Sequence, residues 1–231
     1  PPRSTLDRSS AASDVYKRQD YAVGGGAKLT FVGGDKSNEG NGWSMLDSIT
    51  FRASSDLDNG MTVSMSQNLA AGTPNNTHVT INMNEMGSLV FWKQGGTSVP
   101  GSWDDMLPAT NEESWNGMTG TVGGAGAIIA AGANADLFRY SVNVMDGLDL
   151  YASYSPSDGT AAVESSSSYG IQYSGVEGLT VSYAHGDSNS VGNTEDATVL
   201  KGSYAWGPIT VSYSDYEYDA SGTSSDDDVT S

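Results

Sequence analysis

The sequence predicts an all-β chain, an antiparallel up-and-down meander of the kind that closes into a transmembrane β-barrel. Three observations carry that reading. Apolar and polar residues alternate with a period of two, a glycine turn recurs at the head of successive strands, and short and long connections alternate along the chain.

The composition excludes several other classes. The chain has 231 residues, 10 basic against 28 acidic side chains and a formal net charge of −18. An acidic balance of this size argues against a nucleic-acid partner, because phosphate contacts need clustered Lys and Arg. With no cysteine, disulfides and thiolate metal sites are impossible. Glycine stands at 29 residues, well above the ~7% of an average protein, and no apolar run reaches the ~18 residues of a membrane-spanning helix. Hydropathy alone, with 37% hydrophobic residues, would describe a soluble acidic protein.

Residues 1–19 stand apart. They hold Arg3, Arg8, Lys17 and Arg18, and the string SSAASDVYKRQ reads either as a non-native, adapter-like scar or as a disordered arm. Setting them aside leaves 20–231 as a single domain with a sharper charge of −20. No intact signal peptide is visible.

From Tyr21 onward the repeat organises the chain. DNGMTVSM, EMGSLVF, MDGLDLYA, VEGLTVSY and WGPITVSY place turn glycines at Gly60, Gly87, Gly147, Gly178 and Gly207, spaced 27, 60, 31 and 29 residues apart. A period near 30 residues fits one hairpin per unit, and the spacing of 60 locates about thirty extra residues between Gly87 and Gly147. Eleven strands follow, near 26–33, 45–54, 61–69, 77–83, 88–93, 136–144, 148–155, 168–174, 179–186, 196–205 and 209–218. In the tenth the alternation slips, which predicts a bulge near Lys201 and Gly202.

Short turns are expected at 56–60, 84–87, 145–147, 175–178 and 205–208, and longer polar loops at 34–44, 70–76, 94–135, 156–167 and 187–195. The two kinds fall at opposite ends of the sheet. A Greek-key sandwich has no reason to sort its loops this way, whereas an outer-membrane barrel does. The strand faces agree: one is apolar, the other Ser, Thr, Asn, Asp and an occasional Arg. Such a polar face suits a water-filled lumen and not a dry core, where each unpaired hydroxyl or amide costs ~1–3 kcal/mol. Tyr151, Tyr154, Tyr183, Tyr204, Trp206, Tyr213, Tyr216 and Tyr218 sit toward strand ends, as interfacial girdles require.

The insertion at 94–135 contains Trp103, Asp104, Asp105, Glu112, Glu113 and Trp115, and no Lys or Arg. With SSDLDNGMTVSM (54–65) and WDDMLPATNEESWNG (103–117), the sequence resembles the Gram-negative general diffusion porins, particularly the alphaproteobacterial and marine kind, over essentially all of 20–231. The resemblance implies a homotrimer of sixteen-stranded barrels in the bacterial outer membrane, embedded in lipid and lipopolysaccharide and passing small hydrophilic solutes and ions. It also implies that the loop after the fifth strand, loop 3, folds into the lumen as a constriction. Asp104, Asp105, Glu112 and Glu113 would form its acidic side, with Trp103 and Trp115 as its aromatics. Facing basic residues, by alternation alone, would be Lys28, Arg52, His78 and Arg139. Opposed charges across a narrow lumen order water and favour polar solutes, and four loop carboxylates predict cation preference.

Eleven strands fall short of sixteen, and the terminal aromatic strand of the family is not found, so the chain is expected to be a truncated, open fragment with its first and eleventh strands as edges. Other signals are weaker. Gly24–Gly26 and Gly120–Gly126 lack the Lys-Ser/Thr of a phosphate-binding loop. His78 and His185 are the only histidines, no catalytic constellation surrounds them, and no cofactor is expected. Asp226 to Asp228, with Asp215, Glu217 and Asp219, have the hard oxygens for a structural Ca²⁺, although a solvated acidic loop explains them as well. Two other functions are compatible with the sequence: a solute-specific channel on the same barrel, and a secreted acidic β-sheet adhesin or passenger segment.

Overall fold

In the computed structural model, residues 19–31, 43–103, 135–157, 159, 165–190, 193–220 and 227–230 are described. They form one twelve-stranded sheet in which every strand pairs antiparallel with its neighbour in sequence. The strands are β1 (Gln19–Phe31), β2 (Trp43–Asp56), β3 (Thr62–Ala70), β4 (Thr73–Asn82), β5 (Ser88–Gln94), β6 (Leu137–Met145), β7 (Leu148–Ser155), β8 (Ser166–Tyr173), β9 (Leu179–Ser190), β10 (Asn193–Trp206), β11 (Ile209–Ala220) and β12 (Asp227–Thr230). The described sheet is open, with β1 and β12 at its edges.

The turn glycines behave as the repeat requires. Gly60, Gly87, Gly147, Gly178 and Gly207 all have φ between 60° and 90°, a region that a side chain disfavours. β3, β5, β7, β9 and β11 therefore each start from a turn set by one residue without a Cβ.

Several expectations are corrected. Among the described residues the eleven expected strands are joined by a twelfth, because the acidic tail pairs with β11 over Asp215–Tyr218. That four-residue strand has no apolar alternation to announce it. The edge is accordingly β12. The expected loop at 70–76 is a tight turn at Ala71 and Gly72, both with positive φ, as a two-residue hairpin turn demands. The expected loop at 187–195 is mostly strand, with only 191–192 between β9 and β10. Both stretches are polar, but polar residues belong in a strand whose face meets water. Between β10 and its neighbours the register runs unbroken through Lys201 and Gly202, so the expected bulge is absent there. Irregularities fall instead at Asn68/Leu69, Thr77/His78 and Asn143/Met145.

Register assigns the two faces. On one, Tyr21, Ala53, Met65, Val79, Phe91, Phe138 and Tyr154 stand opposite one another across β1–β7. Val142, Leu150, Ile171, Tyr183 and Leu200 continue that face across β6–β10. These side chains are largely exposed: Tyr21 is 73% and Tyr154 49% accessible. On the opposite face Ser153, Ser168, Ser182 and Ser214 are all below 8%. Exposed aromatics with buried serines invert the order of a soluble protein, and lipid outside with water inside restores it.

Candidate functional site

The polar face of β6–β11 is built as a seat. Tyr151, Gly170, Ala184, Val199 and Tyr216 lie in one registered row across β7–β11. The two tyrosines form rims and the three small residues a floor. A parallel row holds Arg139, Ser153, Ser168, Gly186 and Ala197 across β6–β10. Glycine inside a strand commonly marks a close approach; here the side chains of Val99 and Trp103 come against Gly170 and that of Pro100 against Gly186.

Residues 95–103, the start of the long insertion, lie on this seat. After β5 the chain turns at Gly95 (φ 76°) and forms a single 3₁₀ turn at Pro100–Ser102. The buried amide of Val99 donates to Ser168 Oγ (3.0 Å), which in turn contacts Ser153 Oγ (2.5 Å). Arg139 Nη2 donates to Ser102 Oγ (3.1 Å), and its guanidinium lies 5.5 Å from the centre of the Tyr151 ring. Trp103 meets Tyr151 edge-on, ring centres 5.4 Å apart. The carbonyl of Trp103 accepts from both Lys201 Nζ (2.9 Å) and Tyr216 Oη (2.8 Å). Val99, Leu137, Ala184, Ala197, Val199 and Tyr216 are at most 1% exposed and make up the dry core among the described residues.

The predicted residues divide into groups. Arg52 and His78 share one registered row through Ser66, on the same face as the seat, and both line a hollow of about 520 Å³ with Asp20, Ser54 and Ser64. The His78 ring also lies 5.7 Å from that of Trp92. Lys28 occupies the same face but pairs with Leu46, six positions along β1 from the partner of Arg52, roughly 20 Å away at ~3.4 Å per residue. Arg139 is held by Ser102 and Tyr151, and Trp103 lies on the seat. Asp104, Asp105, Glu112, Glu113 and Trp115 lie outside the described residues, as do 1–18 and Asp226.

Two tyrosines assigned to the interfacial girdle belong elsewhere: Tyr151 and Tyr216 are the rims of the seat. Sequence reasoning also missed Ser168, Gly170, Gly186 and Lys201. For Lys201 a signal is present in the sequence, the break of alternation in the tenth strand, which reads as a bulge. Ala197 and Val199 are apolar on the polar face because a segment covers them, and this is what made the alternation of β10 appear to slip.

One further group has cation-ligand chemistry. His185, Asp187 and Asp196 bring their donor atoms within 4.8 Å of one another on the aromatic face, near the β9–β10 connection. Existing contacts engage them, since Asp187 accepts from Ser167 (2.8 Å) and the His185 ring contacts Thr198 (3.1 Å).

An antiparallel meander with an inverted pair of faces, carrying residues 98–103 of the long insertion against its polar side, has the architecture of a transmembrane β-barrel wall. Residues 9–231 match the Gram-negative porin family, and the chain belongs to it. Among solved structures it is similar to OmpF of Salmonella typhi in complex with daunomycin, with 16% identity and a TM-score of 0.59 over 87% of this chain and 66% of that one. It is similar also to an anion-selective porin from Comamonas acidovorans, with 14% identity and a TM-score of 0.62 over 92% of this chain and 71% of that one. The chain thus spans about two thirds of the length of these structures. No curated protein matches it in sequence.

Proposed function

We propose that the protein forms a water-filled channel in the bacterial outer membrane for passive diffusion of small hydrophilic solutes and ions, with a preference for cations. The observation that carries this reading is the inverted pair of faces, with the start of the insertion, through Trp103, seated on the polar one. Apolar side chains then meet lipid and lipopolysaccharide, and water fills the polar side. Such a channel works without reaction or cofactor, by size and charge.

The acidic balance of the insertion and of the whole chain supports cation preference. Residues 94–135 contain Asp104, Asp105, Glu112 and Glu113 without a balancing Lys or Arg. On the wall beneath it Arg139 and Lys201 donate to Ser102 and Trp103, neutral acceptors that leave both cations charged. Lys28, Arg52 and His78 share the polar face with them, within a chain of 28 acidic against 10 basic side chains. By family analogy the assembly is a homotrimer.

Reversal potential in a KCl gradient tests the proposal, with the protein reconstituted in a planar bilayer. A potential of the sign for K⁺ over Cl⁻ supports it, and clear anion preference overturns the charge assignment. Saturation of the current by one solute would indicate a solute-specific channel. Heat-modifiable migration in the outer-membrane fraction is expected; release as a soluble protein would indicate an adhesin.

A further inference from the structure

We infer that Lys201 and Tyr216 are positioning residues that clamp the root of the constriction loop and so hold the pore open at one width; this rests on the channel reading above. The argument starts at one atom. Trp103 O accepts from an ammonium on β10 at 2.9 Å and a phenol on β11 at 2.8 Å, so both lone pairs of the carbonyl are used. The bond from Lys201 is charge-assisted and belongs to the stronger class. Two donors on adjacent, register-locked strands fix a point in space better than one flexible side chain can.

The position of that carbonyl gives the clamp its consequence. Trp103 is the residue immediately before Asp104 and Asp105, the first two carboxylates of the predicted acidic side. On its N-terminal side, the chain is held at Ser102 by Arg139 and at Val99 by Ser168. The clamp is the last of these attachments before the carboxylates. It also accounts for a lysine on the polar face of a strand, beneath a loop, at a position where alternation alone read a fault. When the clamp loosens, the loop root moves against a rigid wall and the current through the pore fluctuates.

The test uses the protein folded in detergent micelles, with Lys201→Met, Lys201→Arg, Tyr216→Phe and the Met/Phe double variant. Hydrogen exchange across 95–103 is the first readout. Each of the Met and Phe variants is expected to speed exchange there at least fivefold, the double variant more, with β8–β11 unchanged. Lys201→Arg keeps the charge and is expected to stay within twofold of the parent. Open-channel current noise is the second readout, rising at least twofold in the same variants. Tyr216→Phe removes a single hydroxyl and keeps the test available if the double variant fails to fold. Exchange within twofold of the parent in every variant overturns the clamp, even in a conducting channel. Faster exchange in a protein that conducts nothing overturns the pore reading and leaves the clamp standing.

Discussion

Gly170→Ala separates docking of the insertion from stability of the sheet. Gly170 has no positive φ, so its backbone accepts an alanine; the obstacle is space. A Cβ there would stand 2.6 Å from Val99 Cγ1 and 2.9 Å from two ring carbons of Trp103. To reach an ordinary 3.4 Å the valine methyl must retreat by about 0.8 Å. It has nowhere easy to go, since Val99 is fully buried and Trp103 is braced against Tyr151. Overpacking of this kind costs ~1–3 kcal/mol, which at ~1.4 kcal/mol per tenfold shifts the docked-to-undocked ratio roughly 5- to 150-fold. The sheet itself gains slightly, by ~0.4–1 kcal/mol, because alanine restricts the unfolded chain. Gly202→Ala is the control, as its Cβ would meet nothing within 4 Å. Hydrogen exchange of residues 95–103 reads the difference, with urea unfolding in detergent to follow the sheet. Faster exchange in Gly170→Ala alone, at near-parental unfolding, is the expected result. Equal behaviour of the two variants would refute the docking argument.

Ser168→Ala leaves the buried amide of Val99 without its acceptor and is expected to cost ~1–3 kcal/mol in docking. Ser153→Ala spares that bond and is expected to cost less; amide exchange at Val99 compares them. Gly178→Ala combines a φ of +77° with a Cβ only 2.4 Å from the Ala205 carbonyl oxygen, whereas Gly207→Ala has φ +60° and open space. Urea midpoints should therefore fall more for Gly178→Ala than for Gly207→Ala, which bears only the left-handed cost of ~1–2 kcal/mol. The Lys93–Asp136 pair is close, at 2.7 Å, but its side chains are 68% and 50% exposed. A double-mutant cycle on it should return no more than ~1 kcal/mol.

The features legible in the sequence were those set by local chemistry. Turn glycines announced themselves because a tight turn before a strand needs positive φ, and the five in the repeat all have it. Strand faces were legible because a period of two leaves no alternative for Phe138 against Arg139 or Tyr183 against Ser182. What failed depended on distant neighbours. Residues 73–76, 187–190 and 193–195 read as loops because a polar strand and a loop share a composition when water wets one face. Tyr151 and Tyr216 read as girdle aromatics because sequence does not disclose that a segment beginning at Gly95 lies between them. Arg139 lies on the polar face, as alternation requires, and there it donates to Ser102, a partner that no local pattern discloses. Lys201, the residue nearest the mechanism proposed here, was hidden by the apolar floor beside it.

The central claim, that this chain builds a passive aqueous pore, is tested most directly by single-channel conductance in a planar lipid bilayer as KCl concentration is raised. The account predicts stepwise, ohmic current increments that grow in proportion to salt without saturating. Absence of steps from folded, membrane-inserted protein, or saturation of the current at low salt, would contradict it.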